Sequence, residues 1–576
     1  MARLRLALAQ INPVVGDLDG NVERAVAAIR AAEAAACDLV ALPELCTTGY
    51  PPEDLLLRRS FVDDNRQALE AIARSTGPAV ALVGFVDRDG GAHDDQGEDQ
   101  PSTPGLANAV AVCQHGEVRG VYRKRRLPNY SVFDEQRYFV VGDDPLQLFL
   151  VGGCPIGVSI CEDAWSASGP IADLAAGGAT LVVNVNASPF HAGKRDARAA
   201  TLARRARESG VPIAYVNQVG GQDELVFDGD SMLVGADGAV LARAPQFEEL
   251  VAVVEADVVE PVGAARLEVV ELAARDEIGQ RPSTSLAGIA PPLAEEAEVW
   301  GALVTGTRDF VRKNGFGDVV IGLSGGIDSA LVATIAVDAL GPEHVHGVLL
   351  PSRYSSEHSI ADAEALAANL GIDHRTVPIE PAHTALMEML EPSFEGRSLG
   401  LTEENLQSRV RAVVLMGLSN AFGWLLLNTG NKSEASVGYS TLYGDSAGGF
   451  AVIKDVGKLL VYRLARWRNE VEGRELVPHG TLTKPPSAEL RPDQRDDQSL
   501  PPYEVLDPIL ADYVERDLSP DDIVGSGEFD PALVERIVTL VDRAEFKRRQ
   551  SPPGPRVTTK GFGKDRRLPI TNRYDP

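Results

Sequence analysis

The chain has 576 residues, 44% hydrophobic and 24% charged; 55 Lys and Arg against 83 Asp and Glu leave a net charge of −28. This length calls for more than one domain, and the composition excludes a wholly disordered or fibrous chain. So acidic a chain does not coat nucleic acid or an anionic membrane through its overall charge, although a local basic patch stays open.

The first half alternates strand-like and helix-like segments. Residues 3–10 predict a strand and 21–36 an Ala-rich amphipathic helix capped by Asn21. Residues 38–45 and 79–86 predict buried strands, and 108–123 a hairpin turning at His115 and Gly116. Three further strands, at 154–161, 179–188 and 211–219, have helical segments between them; a second hairpin, 230–244, turns at Asp237 and Gly238. This is an α/β layered domain with a mixed sheet. Residues 93–105 form an acidic surface loop. The Pro- and Ser-rich stretch 281–292 is the best boundary, giving a first domain 1–260, a linker 261–292 and a second domain 293–576.

The second half opens with helix 293–314. Strand 318–323, a Gly-rich turn, helix 330–340, strand 344–351, helix 359–370, strand 375–379, helix 403–422 and strand 424–428 follow. Helices between apolar strands imply a doubly wound parallel sheet, which binds ligands beyond the carboxyl ends of its strands. The longest uncharged stretch, 412–430, is interrupted by Ser419, Asn420 and Asn428 and reads as buried helix and strand, not as a membrane span. The N-terminal apolar run is too short for a signal peptide. The five cysteines, Cys37, Cys46, Cys113, Cys154 and Cys161, are few, odd in number and without a CxxC pair. They argue for a reducing, cytoplasmic setting and against a disulfide framework or structural zinc.

Three segments of the first half deliver a reactive side chain to the end of a strand: Glu44 in Leu-Pro-Glu-Leu, Lys124 in Tyr-Arg-Lys-Arg-Arg, and Cys161 in Ile-Cys-Glu-Asp-Ala-Trp. Their chemistry fits amide hydrolysis. Cys161 attacks a carboxamide carbon, Glu44 takes the thiol proton and passes it to departing ammonia, and Lys124 stabilises the oxyanion and favours the thiolate. Taken singly, each has a plainer reading: a buried small hydrophobe, a paired carboxylate, a solvated cation. As an ordered trio with their local motifs they resemble the nitrilase superfamily. The segments 48–55, 127–135 and 186–194 are similar to the glutaminase domain of glutamine-dependent NAD synthetases. That resemblance implies an α-β-β-α sandwich. It also implies that Tyr130, Ser188 and Lys194 bind L-glutamine, with Glu162 for its α-amino group and Tyr50 as a wall. Ser131 stands where the family pattern leads us to expect glycine.

In the second half the turn reads Gly322, Leu323, Ser324, Gly325, Gly326, Ile327, Asp328, Ser329. Adjacent glycines admit an anion to backbone N–H groups at a helix start, and Ser324 and Ser329 add hydroxyls. Asp328 repels a bare phosphate, but it suits Mg²⁺ shared with phosphates. No Gly-Lys-Ser/Thr is present, so this is not a Walker loop. It resembles the pyrophosphate loop of the ATP pyrophosphatases, which adenylate a substrate oxygen. Thr-Gly-Asn-Lys-Ser-Glu at 429–434, Gly444-Asp445, Lys458 and Pro-Ser-Ala-Glu-Leu at 486–490 follow in the order of the NAD synthetase family. The resemblance implies a Rossmann-like adenine-nucleotide α-hydrolase-like domain. Thr429, Lys458 and Ser487 join the loop on ATP, Asp328 and Glu434 carry Mg²⁺, and Asn405, Glu434, Asp445 and Lys547 contact deamido-NAD.

From 543 to 573 the tail holds ten Lys and Arg against two Asp and Glu. Charge of this sign suits a dinucleotide pyrophosphate. For most of these cations a solvated or subunit-interface role is the plainer reading, and the sparse aromatics speak against nucleic acid. Adenylation makes a carboxylate an electrophile with AMP as leaving group. Ammonia is largely protonated near neutral pH, so a closed passage between the sites is expected; the family resemblance implies that it is built in a homo-oligomer paired through its synthetase domains. Two rivals stand beside this reading: a ligase amidating a different acid, and a nucleotide sensor with a dead amidase half.

Overall fold

A computed structural model describes residues 2–88, 105–167, 169–258, 265–273, 283–397 and 400–574. The acidic 93–105 insert falls outside them but for its last residue. The chain divides into two compact units, Met1–Gln222 with Val226–Leu293, and Asp223–Leu225 with Ala294–Pro576.

Alternation along one strand organises the first unit. In Ala2–Gln10, Leu4, Leu6 and Leu8 enter one core while Ala7 and Ala9 enter another, the two-residue period of a strand covered on both faces. Its sheet has six strands in the order Leu250–Val258, Ala2–Gln10, Leu39–Ala41, Val80–Arg88, Leu106–Gln114, Glu117–Arg123. The three consecutive strands from Ala2–Gln10 to Val80–Arg88 are parallel and the outer pairings antiparallel. A second sheet of seven strands runs Val240–Arg243, Met232–Val234, Ile213–Asn217, Leu181–Asn186, Cys154–Ile160, Gln147–Val151, Glu268–Glu271.

Leu4, Leu8, Ile156, Val158, Val183 and Val185 meet in the core between the two sheets. Helices Leu18–Ala34 and Arg59–Arg74 cover the outside of the first sheet through Ile29, Leu69 and Ile72. Helices Pro170–Ala176 and Lys194–Ser209 cover the second through Leu174, Leu202 and Ala206. The unit is a four-layered α-β-β-α sandwich.

Four local expectations are corrected. The mixed sheet is two mixed sheets. The helix expected from residue 21 begins at Leu18, because the Asp17 side chain accepts from Gly20 N. Asn21 is instead buried in the helix, donating to Val14 O and Thr47 O at 2.8 and 3.1 Å. The strand expected over 38–45 is only Leu39–Ala41, since Pro43 has no N–H to donate to a ladder. The stretch read as linker carries strand Glu268–Glu271, parallel to Gln147–Val151, and Ala287 N and Arg243 N bond Val253 O and Gly288 O.

Behind Lys194–Ser209 lies a fully buried ion cluster. Arg198 donates to Asp228 and to Asp230, each at 2.8 Å, and Arg243 donates to Asp230 at 2.6 Å. Replacing Arg198 by Ala leaves the buried Asp228 carboxylate without its cation, while Asp230 keeps Arg243. It is expected to cost about 3–5 kcal/mol, read as a lower urea midpoint for the first unit.

The second unit carries five strands in the order Asp373–Thr376, Val345–Leu349, Val319–Gly322, Leu425–Asn428, Phe450–Ala451, all parallel. The order reverses between Val319–Gly322 and Leu425–Asn428, the switch point of a doubly wound sheet. Helices Tyr503–Leu510 and Pro531–Arg543 build a separate apolar cluster around Leu506, Ile509, Ile537 and Val541. Of the tail's cations, Arg548, Arg556 and Arg566 are buried, while Arg543, Arg549, Arg567 and Arg573 are exposed. Arg548 is buried, donates to Ser436 O and Val541 O at 2.6 Å each, and lies 4.4 Å over the Phe562 ring. Arg566 pairs with Asp542 at 3.1 Å, Arg556 with Asp565 at 2.5 Å and Lys560 with Asp517 at 2.5 Å. With Glu545 pairing Arg548 and Arg549, carboxylates of the same unit thus neutralise five of the cations that the tail brings.

Candidate active sites

In the first unit, Glu44, Lys124 and Cys161 each follow the carboxyl end of a strand: Leu39–Ala41, Glu117–Arg123 and Cys154–Ile160. All three are buried, with exposures of 1, 0 and 4%. Lys124 Nζ donates to Glu44 Oε1 at 2.7 Å and to Glu135 Oε1 at 2.8 Å. Asn108 Nδ2 and Ala187 N donate to the two oxygens of Glu44 at 2.7 and 2.8 Å, so the carboxylate is held from several sides. Tyr50 OH donates to Glu135 Oε1 at 3.0 Å.

Cys161 sits at φ 40°, ψ −99°, in the turn from its strand to helix Glu162–Trp165. A non-glycine residue held there carries backbone strain of the kind that concentrates at functional sites. Burial pushes its thiol well above the ordinary value, and Glu44 adds to the rise while Lys124 opposes it. Lys124 thus favours the thiolate, as expected, but burial outweighs it. The thiol is protonated at rest, so its attack requires a base. Burial pushes Glu135 up to about 7, with Lys124 opposing.

Of the expected glutamine contacts, Tyr130 OH donates to Glu162 Oε2 at 2.9 Å. Lys194 Nζ donates to Pro189 O at 2.6 Å and lies 5.8 Å from the Trp165 ring centroid. Ser188 N donates to Asn217 Oδ1 at 2.8 Å. Burial raises the Glu162 carboxyl, against the pull of Tyr130, Lys124 and Lys194. Tyr50 is buried, and its hydroxyl is engaged by Glu135. Sequence reasoning missed Glu135 and Asn108. The former closes a segment already singled out, and the latter is an amide within the largely apolar strand Leu106–Gln114.

In the second unit a cavity of about 630 Å³ opens at the switch point of the sheet. Gly322, Leu323, Ser324, Gly326 and Thr429 line it, together with Asn405, Asp445, Ser487 and Lys547. Its size suits a nucleotide-sized ligand. Gly325 has φ +75°, and a Cβ there would stand 2.1 Å from Ser359 O, so only glycine fits this turn. Ile327 is buried in the core, and the Ser329 hydroxyl is held inside the loop, 3.1 Å from Ser324 Oγ and from Gly326 O. Ser324 lines the cavity, and the Ser329 hydroxyl turns back into the loop. Asn405 accepts from Thr441 Oγ1 at 2.9 Å, Asp445 accepts from Thr441 N and Ser408 Oγ, and Lys547 donates to Gly438 O and Ser440 O at 2.8 Å each.

Asp328, Glu434 and Lys458 form a separate cluster. Lys458 Nζ donates to Asp328 Oδ2 at 2.6 Å and to Glu434 Oε1 at 2.8 Å, and Asn431 Nδ2 donates to Asp328 Oδ1 at 3.0 Å. Burial pushes Glu434 up to about 7; it also works against the Lys458 ammonium, which the two carboxylates nonetheless hold above its ordinary value. Among the described residues no three His, Cys, Asp or Glu are grouped to hold a metal by themselves. Two carboxylates completed by phosphate oxygens and water are the donor set that Mg²⁺ takes, so the residues fit the ion. Sequence reasoning also missed Arg411. It lines the cavity, donates to Leu350 O at 3.0 Å, and is pushed down to about 10 by burial.

The carbon-nitrogen hydrolase family model matches residues 5–264 and the NAD synthase family model residues 299–551. The chain is 47% identical to the glutamine-dependent NAD(+) synthetase of Thermotoga maritima, over 100% of this chain and 99% of the relative. It is 44% identical to that of Synechocystis, over 99% of each. Among solved structures, the glutamine-dependent NAD+ synthetase of Acinetobacter baumannii, in complex with ADP, matches with a TM-score of 0.74 and 40% identity over 99% of both chains. That of Cytophaga hutchinsonii, 23% identical with a TM-score of 0.79, shares the fold. By its two matched halves and its full-length relatives, this chain belongs to the glutamine-dependent NAD(+) synthetase family.

Proposed function

We propose that the first unit hydrolyses L-glutamine and that the second uses the ammonia to amidate deamido-NAD to NAD, with ATP cleaved to AMP and pyrophosphate. The observation that carries this reading is that one chain holds both a buried Cys-Lys-Glu centre and a nucleotide-sized cavity at the switch point of a parallel sheet. Cys161 Sγ attacks the glutamine carboxamide carbon while Glu44 accepts its proton. Glu44 then protonates the departing nitrogen as ammonia, leaving a thioester. Water, deprotonated by Glu44, releases glutamate and restores the thiol. Lys124 donates to the oxyanion of each tetrahedral intermediate.

In the second unit the backbone of the 322–326 turn and the start of helix Ile327–Leu340 bind phosphates. Thr429, Lys458 and Ser487 join them. The nicotinate carboxylate displaces pyrophosphate from the α-phosphorus, and ammonia then displaces AMP from the acyl adenylate. Asn405, Asp445, Glu434 and Lys547 orient the acid, and Asp328 and Glu434 hold Mg²⁺, which supplies charge neutralisation on the phosphates. Helix Leu401–Phe422 leaves Leu401, Val413, Met416 and Phe422 exposed, which supports a homo-oligomer paired through synthetase domains. Among the described residues no helix is long and apolar enough to cross a membrane. The reading is of a cytoplasmic enzyme with neither nucleic acid nor membrane as partner.

The test is pyrophosphate release against a panel of carboxylic acids, with ATP, Mg²⁺ and ammonium. Deamido-NAD is expected to drive stoichiometric AMP, pyrophosphate and NAD. Chelating the metal is expected to remove turnover, and added Mg²⁺ to restore it. Release with another acid but not with deamido-NAD favours the rival ligase; nucleotide binding without turnover favours the sensor.

A further inference from the structure

The two halves of the amidase centre come from different sheets. Lys124 follows a strand of the six-stranded sheet and Cys161 a strand of the seven-stranded one. Their relative position therefore needs a tie of its own, and one buried side chain supplies it. Asp163 has no exposed surface. Its Oδ1 accepts from the backbone N–H groups of Arg125 and Arg126 at 3.2 and 2.9 Å, the two residues after Lys124. Its Oδ2 accepts from Tyr122 OH at 2.6 Å, two residues before Lys124, and from Ile160 N at 3.0 Å, the residue before Cys161. One carboxylate thus grips both sides of the lysine loop and the entry to the strained nucleophile turn.

We infer that Asp163 is a positioning residue of glutamine hydrolysis, which fixes the lysine loop against the cysteine turn so that Lys124 meets the oxyanion formed on Cys161. The carboxylate suits this task because all four of its partners donate and it only accepts. An amide of the same shape would turn an N–H₂ toward two of those donors, and Ile160 N cannot reverse its role. The inference rests on the amidase reading of the first unit. Asp163 touches neither substrate nor thiol in the mechanism proposed, so its loss should leave substrate capture intact and weaken the chemical step.

The experiment measures steady-state NAD formation by the full chain with glutamine and, separately, with ammonium, for Asp163→Asn, Tyr122→Phe and Cys161→Ala. Asp163→Asn is expected to lower kcat with glutamine by about 10²-fold, the scale of an ångström misplacement. KM for glutamine and the ammonium-driven rate are expected within about twofold of wild type, since a positioning loss falls on the transition state. Tyr122→Phe deletes one of the four donors and is expected to lower the same kcat by a smaller factor, with the same unchanged KM. Wild-type kcat in both variants, or a loss carried by KM, overturns the inference. If Asp163→Asn fails to fold and loses both reactions, Tyr122→Phe decides by the same split. Cys161→Ala separates the two readings: glutamine-driven synthesis surviving in that variant would overturn the amidase assignment itself.

Discussion

Replacing Cys161 by Ala is expected to abolish NAD formation from glutamine while leaving formation from ammonium at the wild-type rate. The thiol is the nucleophile proposed for the buried centre that holds Lys124, Glu44 and Glu135, and its removal costs the thioester route outright. A loss of about 10⁴-fold or more is the scale seen when a covalent nucleophile is deleted. The same split is expected for Glu44→Gln, with about 10²–10⁴-fold lost, because the amide keeps the volume but cannot take a proton. The thiol's position well above its ordinary range makes this second variant informative: a protonated resting thiol depends on its base more than a preformed thiolate does. The check is paired initial-rate assays with the two nitrogen sources. Glutamine-driven synthesis by Cys161→Ala would sink the assignment. Loss of the ammonium reaction in the same variant would show that the substitution damages more than one unit.

What could be read from the sequence was what repeats at short range. The two-residue alternation of Leu4, Leu6 and Leu8 and the strand ends bearing Glu44, Lys124 and Cys161 are local patterns, and the structure gathers those three side chains in one buried centre. The glycines of the 322–326 turn were legible for the same reason, since a strand, a turn and a helix follow one another without gap. Cross-chain ties were not legible. Glu135 meets Lys124 only because the 127–135 segment folds back, and Asn108 meets Glu44 across 64 residues. Asp17 displaced Asn21 as helix cap because Asn21 has a better use between Val14 and Thr47, a choice that depends on tertiary contacts. The tail's pairing was hidden in the same way. Its charge count is a fact of composition, but the acids that neutralise Arg566 and Lys560, Asp542 and Asp517, lie outside the counted stretch. Lys458, placed on ATP by family resemblance, stands between the two carboxylates expected to carry the metal, an arrangement that only three dimensions display.

That arrangement sets the second large effect. Lys458→Met and Asp328→Asn are each expected to lower NAD formation by about 10²–10³-fold with glutamine and with ammonium alike, the scale of removing a charge that faces a transferring phosphoryl group. Lys458 is 2% exposed and holds one oxygen of Asp328 and one of Glu434, so two like charges sit close only because an ammonium lies between them. Methionine keeps the length of the side chain and removes that ammonium. Glu434, already pushed up to about 7 by burial, then loses the partner that pulls it down and takes up a proton. A protonated Glu434 is a poorer oxygen donor for Mg²⁺, so the variant is expected to need more Mg²⁺ for half-maximal turnover as well as to turn over more slowly. Asp328→Asn acts from the other side: it keeps the bond partners at 431 and 458 within reach but removes one negative charge from the donor set proposed for the metal. Measured beside Cys161→Ala, these variants separate the two chemistries. One class loses a single nitrogen source and the other loses both. A Lys458→Met protein that still makes NAD from ammonium at the wild-type rate, at an unchanged Mg²⁺ requirement, would remove Lys458 and its paired carboxylates from the adenylation step.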